Sequence, residues 1–119
     1  MTKSITNFDI VLVPFPFTDL STSKKRPCMV LLRLEPVRVE MLFLVAMITS
    51  QIDGLSFPFD VKLKDPEQAG LIKPSLVRLS KMVTIDQSLI NKKLGRLSLK
   101  DQEIIKQNIH KMFKHLLIS

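Results

Sequence analysis

Two nearly continuous apolar runs in the first half of the chain set the strongest limit on what it can fold into. The runs are CMVLLRL, from Cys28 to Leu34, and MLFLVAMI, from Met41 to Ile48. Both are rich in branched side chains, and each has about the length of a strand. The segment EPVRVE between them contains a proline and several charged residues, which is typical of a connection. We expect the runs to form a hairpin or to lie as neighbours in a twisted sheet.

Three further stretches carry the patterns of strands. The residues from Phe8 to Val13 alternate loosely, and the prolines that follow suit an edge or a bulge. SLVRLSKMVTI alternates with mixed faces and is predicted to be a strand. FPFDVKL is typical of a half-buried strand, because four apolar residues share one face at period two: Phe57, Phe59, Val61 and Leu63. We expect Phe57 and Phe59 to lie in the core.

The end of the chain has the pattern of a helix. Ser98 with Asp101 three residues later resembles a capping box. Apolar residues then recur at helical spacing: Ile105, Ile109, Met112 and Leu116. The predicted fold is therefore mainly β, of the α+β class, with short, mostly antiparallel strands in a bent sheet or partly closed barrel and a C-terminal helix. We expect residues 1–119 to form one domain.

The charge balance favours an anionic partner. The chain has 18 Lys and Arg against 11 Asp and Glu, a net charge of +7. Such a chain attracts a polyanion, either a nucleic acid or an acidic protein. The single cysteine, Cys28, excludes an internal disulfide and any multi-cysteine zinc site, and it suits a reducing compartment. We expect a cytoplasmic protein that does not enter a membrane, since the longest apolar run has eight residues.

The sequence lacks the usual catalytic groupings. His110 and His115 lie on the predicted helix, where they are more typical of a polar face or helix end than of an acid–base pair. No group of His, Cys, Asp or Glu has the spacing of metal ligands, and no glycine-rich phosphate loop is present. Cys28 lies within an apolar run, where a thiol is usually inert. We therefore expect no metal and no cofactor.

A cluster of three cations, Lys24, Lys25 and Arg26, stands immediately before the first long apolar run. The cluster could be a solvated charge run. Its position favours a second interpretation, because Pro27 and the strand would anchor Arg26, whose guanidinium fork matches a phosphate. Lys24 and Lys25 would then supply salt-sensitive attraction.

The second apolar run ends in three polar residues, Thr49, Ser50 and Gln51. Their side chains could simply satisfy the last backbone groups of the strand. If the two apolar strands pair as antiparallel neighbours, however, the start of one and the end of the other share an edge of the sheet. Arg26 and Thr49 would then converge.

Several quoted segments together resemble the MazF/PemK family of toxins. They are FDIVLVPFPFTDLSTSKKRPCMVLL, AMITSQ, FPFDV and LVRLSKMVTIDQSLINKKLGRLS, in this order and before a terminal helix. The resemblance implies an SH3-like barrel that forms homodimers, cleaves single-stranded RNA without a metal, and is silenced by an antitoxin, which we expect to be acidic and partly disordered. It also implies that Arg26 and Thr49 are the catalytic pair. The chain departs from the family at Phe8, where a glycine is common, and at Leu32, where a serine is frequent.

The implied reaction uses the 2′-hydroxyl of the RNA as nucleophile and yields a 2′,3′-cyclic phosphate and a 5′-hydroxyl. Arg26 would neutralise the phosphoryl charge, and Thr49 would orient the 2′-hydroxyl or the phosphate. Further residues are predicted to bind RNA: Phe17, Thr18, Lys24, Lys25, Ser50 and Gln51. Two alternatives stay open: a non-catalytic toxin of the same fold that poisons a protein such as DNA gyrase, and a simple RNA-binding module.

Overall fold

Six antiparallel strands and one C-terminal helix make up the fold seen in a computed structural model. The structure describes residues 5–15, 24–34, 41–54 and 56–118. The strands are β1 (Asp9–Phe15), β2 (Lys24–Leu34), β3 (Leu42–Thr49), β4 (Asp60–Lys62), β5 (Leu76–Asp86) and β6 (Lys92–Arg96). The helix α1 spans Leu99–Leu117, and two short 3₁₀ helices span Pro66–Ala69 and Gln87–Leu89. The sheet order is β4-β5-β3-β2-β1-β6, which confirms the predicted fold class.

The two apolar runs form neighbouring central strands, as predicted. β2 and β3 are antiparallel, with Cys28 opposite Met47. Ile48 belongs to a core cluster that also contains Ile105 of α1. Cys28 belongs to a second cluster, which contains Val45. Because apolar side chains are buried on both faces of these strands, their sequences read as continuous runs instead of strict alternations.

The predicted strand around residues 57–63 is much shorter in the structure. Val61 and Leu63 are buried, but β4 contains only three residues. The backbone of Phe59 is left-handed, with φ at 62°, and this breaks the alternation of faces. Phe59 still packs against the core, whereas the ring of Phe57 is 42% exposed. The core prediction was therefore wrong for Phe57, whose ring instead lies 4.4 Å from the guanidinium carbon of Arg78.

An irregularity that inserts three extra residues into β5 explains its mixed faces. Ala46 pairs with Met82, but the next residue of β3, Met47, pairs with Arg78. Residues 79–81 are therefore accommodated in β5 opposite a single step of β3. This irregularity gives β5 two arms, the first paired with both β3 and β4 and the second paired with β3.

The start of α1 is tied to the segment that follows β4. The hydroxyl of Ser98 accepts a hydrogen bond from the Asp101 amide at 3.1 Å, as the capping pattern predicts. The buried Asp101 carboxylate accepts two more, from the backbone N–H groups of Lys64 and Asp65, each at 2.9 Å. A buried carboxylate needs such partners, so this side chain fixes the helix against the sheet. In the described part of the chain, no helix has the length and apolar character that crossing a bilayer requires.

Two glycines allow the edges of the sheet to approach each other. The 3₁₀ helix Pro66–Ala69 follows β4 and packs against β6, the opposite edge strand. A Cβ atom on Gly95 would lie 2.6 Å from the carbonyl carbon of Ala69. A Cβ on Gly70, whose φ is 79°, would collide with the backbone of Leu94. Backbone contact at these glycines therefore holds the bent sheet together without hydrogen bonds between its edge strands.

We expect Gly95→Ala to lower the free energy of unfolding by about 1–3 kcal/mol, because the added methyl group forces Ala69 away from β6. Gly54→Ala is the matched control, since a Cβ there meets no heavy atom within 4 Å. The control should be neutral or slightly stabilising. Urea unfolding of both variants measures the difference, and equal midpoints would contradict the close approach.

Candidate functional site

The order and direction of the strands bring the start of β2, the end of β3 and the start of β5 to the same end of the sheet. β2 and β5 flank β3 and are both antiparallel to it. The first residues of β2 and β5 therefore lie beside the last residues of β3. Thr49 pairs with Leu76 on the β5 side. On the β2 side, the register that sets Cys28 opposite Met47 brings Arg26 opposite Thr49 when it is carried two residues further.

A groove of about 550 Å³ opens at this end of the sheet. Its lining residues are Lys25, Arg26, Pro27, Ile48, Thr49, Ser50, Gln51, Leu71, Ile72, Lys73 and Ser75. Three of them are cations, and none of the described lining residues is Asp or Glu. The groove is therefore electropositive and suits an anionic ligand.

Arg26 is exposed, but its backbone is held in the sheet. It pairs with Val13 of β1 and is followed by Pro27, whose ring fixes the next backbone torsion. Its guanidinium carbon lies 5.9 Å from the centre of the Phe15 ring. Such a contact is weak at an exposed site. Arg26 also lines the groove. The exposed side chain can thus bind a phosphate while the sheet holds its backbone in place.

The Thr49 hydroxyl both satisfies a backbone group at the end of β3 and remains able to bind a ligand. Its Oγ1 accepts a hydrogen bond from the Gln51 amide at 3.2 Å, which is the role of a strand-end hydroxyl. The hydroxyl can still donate a hydrogen bond, because accepting one from Gln51 uses only a lone pair. Thr49 therefore offers a hydrogen-bond donor to a ligand in the groove.

The groove brings together five of the residues that the sequence nominates: Lys25, Arg26, Thr49, Ser50 and Gln51. Lys24 is exposed at the first position of β2 and is not among the groove-lining residues. Phe17 and Thr18 lie outside the described residues.

Sequence reasoning missed one wall of the groove, the segment 71–75 that leads into β5. Lys73 and Pro74 stand before β5 much as Arg26 and Pro27 stand at the start of β2. This second cation–proline pair is the signal that could have revealed the segment. The buried Ser75 donates a hydrogen bond from its hydroxyl to the Lys73 carbonyl at 2.9 Å.

The two departures from the family pattern lie away from the groove. Phe8 has a left-handed backbone, with φ at 73°, which explains why glycine suits this position. Its amide donates to the carbonyl of Val30 at 2.7 Å, at the far end of β1 from Arg26. Leu32 is 47% exposed and lines a separate apolar groove. Neither Phe8 nor Leu32 is among the residues that line the candidate groove.

The histidines are not part of this groove. His110 and His115 are exposed on α1, and the His115 ring lies 6.4 Å from the ring of Phe59. Among the residues that the structure describes, no three or more His, Cys, Asp or Glu side chains group in a way that could hold a metal ion.

Cys28 is a packing group, as its sequence context predicts. It is fully buried in the second core cluster, and its sulfur lies 3.7 Å from that of Met47. Burial raises the pKa of the thiol from 9.0 to about 12. The thiolate that a nucleophile requires is therefore unavailable near neutral pH.

The family of the chain is shown by its sequence. Residues 6–113 match the family model of the PemK-like, MazF-like toxins of type II toxin–antitoxin systems. The chain belongs to this toxin family. The family match confirms the resemblance that the sequence segments predict. No protein of curated function matches the chain.

Solved structures of MazF toxins share the fold of this family member. The Mycobacterium tuberculosis toxin MazF-mt6 is 23% identical, with a TM-score of 0.67 over 89% of this chain and 96% of that one. An endoribonuclease from a mycobacterial species is 13% identical, with a TM-score of 0.63 over 90% and 88% of the two chains. The MazE–MazF structure from Deinococcus radiodurans is 17% identical, with a TM-score of 0.62 over 92% and 94%. At these identities the likeness shows the fold.

We expect the Cys28 thiol of the native toxin-family chain to resist alkylation by iodoacetamide at pH 8 and to react once urea unfolds the protein. The thiol ionises near pH 9.0 when unfolded but only near 12 when folded. Its contribution to stability is therefore intact below about pH 9 and is lost as the pH rises toward 12. Mass spectrometry measures the alkylation. The pH dependence of unfolding measures the stability change, and Cys28→Ala, which lacks the thiol, is its control. Equally fast reaction of the native and unfolded chains would contradict this burial.

Proposed function

We propose that this toxin-family member is an endoribonuclease that cleaves single-stranded RNA, as the toxin of a type II toxin–antitoxin pair. The observation that carries the proposal is the groove that Arg26 and Thr49 line together with two lysines, with no Asp or Glu among its described lining residues. Solved structures of the same fold that bear the name endoribonuclease support it. The net charge of +7 also favours an RNA substrate.

The reaction needs no covalent bond to the protein. The oxygen of the RNA 2′-hydroxyl bonds to the neighbouring phosphorus while the bond from phosphorus to the 5′-oxygen breaks. The 2′-hydroxyl loses its proton, and the departing 5′-oxygen gains one. The products are a 2′,3′-cyclic phosphate and a 5′-hydroxyl, and no metal takes part.

Two side chains act on the phosphodiester. Arg26 neutralises the negative charge that builds on the non-bridging oxygens, for which its planar fork and permanent charge are suited. Thr49 donates a hydrogen bond from its hydroxyl to the phosphate and so orients the phosphate for attack. An arginine is a poor proton acceptor near pH 7, so we assign no general base to either residue.

The rest of the groove binds the strand on each side of the reacting bond. Lys25 attracts the phosphates, while Ser50 and Gln51 supply polar groups for base edges. Lys24, Phe17 and Thr18 complete the proposed RNA-binding set. Single-stranded RNA suits such a site because its bases are unpaired and can be splayed out.

We expect Arg26→Ala to reduce RNA cleavage by about 10²–10³-fold, as removal of a preorganised donor to a developing charge does. Thr49→Ala should also impair cleavage. Lys100→Ala is the matched control, because it removes the same charge from an exposed site on α1 outside the groove. The assay is cleavage of a mixed-sequence transcript pool in EDTA, with mapping of the 2′,3′-cyclic phosphate ends.

Two results would overturn the proposed function when the cleavage assay is combined with tests of replication arrest and of RNA binding. If the RNA stays intact while the toxin arrests replication, the chain poisons a protein target such as DNA gyrase. If the chain binds RNA in a salt-sensitive way but never cleaves it, it is an RNA-binding module. Cleavage that Arg26→Ala leaves unchanged would remove the proposed role of that residue.

We also propose that an acidic, partly disordered antitoxin segment covers the cationic groove. Similar structures of a MazE–MazF pair and of an endoribonuclease with its cognate antitoxin support a protein partner of this kind. Charge pairing across the groove is screened by salt. The affinity for the cognate antitoxin should therefore fall as salt rises, and titration calorimetry over a salt series that shows constant affinity would contradict this.

A homodimer is the third part of the proposal. Leu32 and Phe113 are exposed and line an apolar groove of about 190 Å³ between the sheet and α1. The end of α1 exposes further apolar side chains: Leu116, Leu117 and Ile118. Such patches are typical of protein interfaces. Sedimentation that finds only the 13.6 kDa species at working concentrations would remove this part.

A further inference from the structure

We propose that Ile72 packs against a nucleobase beside the reacting phosphodiester, while Lys73 binds the adjoining phosphate. Ile72 would thereby help to set which sequences are cut. The inference rests on the proposed RNA-cleaving function, and it assigns a substrate contact to a segment that the family motifs in this sequence do not include.

The first observation is the exposure of Ile72. Its side chain is 96% exposed, the highest value among the large apolar residues that the structure describes. The neighbouring Leu71 is 8% exposed and belongs to the core. A fully exposed isoleucine contributes no burial to the fold, so its whole side chain is available to contact a ligand in the groove.

The second observation is that the backbone on both sides of Ile72 is held firmly. Before it, Gly70 lies against the backbone of Leu94, and the Leu71 amide donates to the Pro66 carbonyl at 3.0 Å. After it, the Ser75 hydroxyl donates to the Lys73 carbonyl at 2.9 Å. The Ser75 carbonyl in turn accepts from the Leu63 amide at 3.0 Å.

These contacts present the side chain at a fixed place. A rigid apolar contact loses little entropy when a ligand binds. The rim residue Ile72 is thus suited to recognition and not only to attraction.

The third observation is where Ile72 lies. It lines the same groove as Arg26 and Thr49, and Lys73 follows it directly. A nucleotide carries an apolar ring face and an anionic phosphate within one unit, and this combination matches an apolar side chain next to an ammonium. Proteins insert aliphatic residues against bases in this way. The chain has no Trp or Tyr to do so.

The test compares Ile72→Ser with Leu99→Ser. Leu99 is an apolar side chain of the same size as Ile72 and is also exposed, at 83%. It lies at the start of α1, however, and does not line the groove. Cleavage of the mixed transcript pool is followed by sequencing of the ends. Ile72→Ser should lower kcat/KM at the preferred sites by roughly tenfold, the scale of losing one base contact, and should relax the preference next to the cut. Leu99→Ser should change neither.

Two further measurements make the result specific to a base contact. Ile72→Phe should retain or strengthen cleavage at the preferred sites, because its ring can also stack on a base. A matching RNA with a 2′-O-methyl group at the reacting position reports binding by fluorescence anisotropy without cleavage. The dissociation constant should rise by roughly tenfold for Ile72→Ser and stay unchanged for Leu99→Ser.

The outcomes separate this inference from the proposed function. If wild type cleaves RNA but Ile72→Ser keeps the same sites, kcat/KM and dissociation constant, the inference is overturned and the nuclease stands. If wild type does not cleave, the nuclease falls, and the binding measurement still decides whether Ile72 contacts RNA. If Ile72→Ser weakens only antitoxin binding or self-association, Ile72 contacts protein and the inference is overturned.

Discussion

The antiparallel hydrogen-bond ladder that holds β3 between β2 and β5 is the constraint on which the groove depends. Since both neighbours run opposite to β3, their first residues must lie beside its last residue. Arg26 lies near the start of β2, Thr49 ends β3, and Lys73 precedes β5. These positions are far apart in the chain, yet the ladder leaves the three residues at one end of the sheet. The close contact at Gly70 and Gly95 keeps this sheet bent and its edge segments in place.

Positive charge is concentrated at this end of the sheet. Lys25, Arg26 and Lys73 line one groove without an Asp or Glu among its described lining residues. Their mutual repulsion opposes folding, and an anionic ligand would relieve it. Elsewhere the fold pairs its buried charge carefully: Asp9 accepts contacts from Lys93 at 3.4 Å and from Arg96 at 3.1 Å. The groove, with no Asp or Glu among its described lining residues, is therefore suited to a polyanion.

Some of this architecture could be predicted from sequence because it rests on local patterns. The apolar runs identified β2 and β3, and the capping pattern at Ser98 identified the start of α1. Phe57 could not be placed, because the left-handed backbone at Phe59 that ends the alternation leaves no mark in the pattern. The Asp101 carboxylate was equally unreadable, since its backbone partners lie 36 and 37 residues away.

The groove was predictable only in part for the same reason. The pairing of the two apolar runs was enough to bring Arg26 near Thr49. The pair Lys73–Pro74 marks the wall at Ile72 and Lys73 in the sequence. Its place beside Thr49, however, depends on the pairing of β3 with β5, and pairing across a long sequence separation leaves no local pattern.

A crystal structure of the protein with a single-stranded RNA that carries a 2′-O-methyl group at the reacting position is the most direct test of the central claim. The account predicts one phosphate whose oxygens lie within hydrogen-bonding distance of both the Arg26 guanidinium and the Thr49 hydroxyl. An RNA bound along another face of the sheet, with neither side chain in contact with a phosphate, would contradict it.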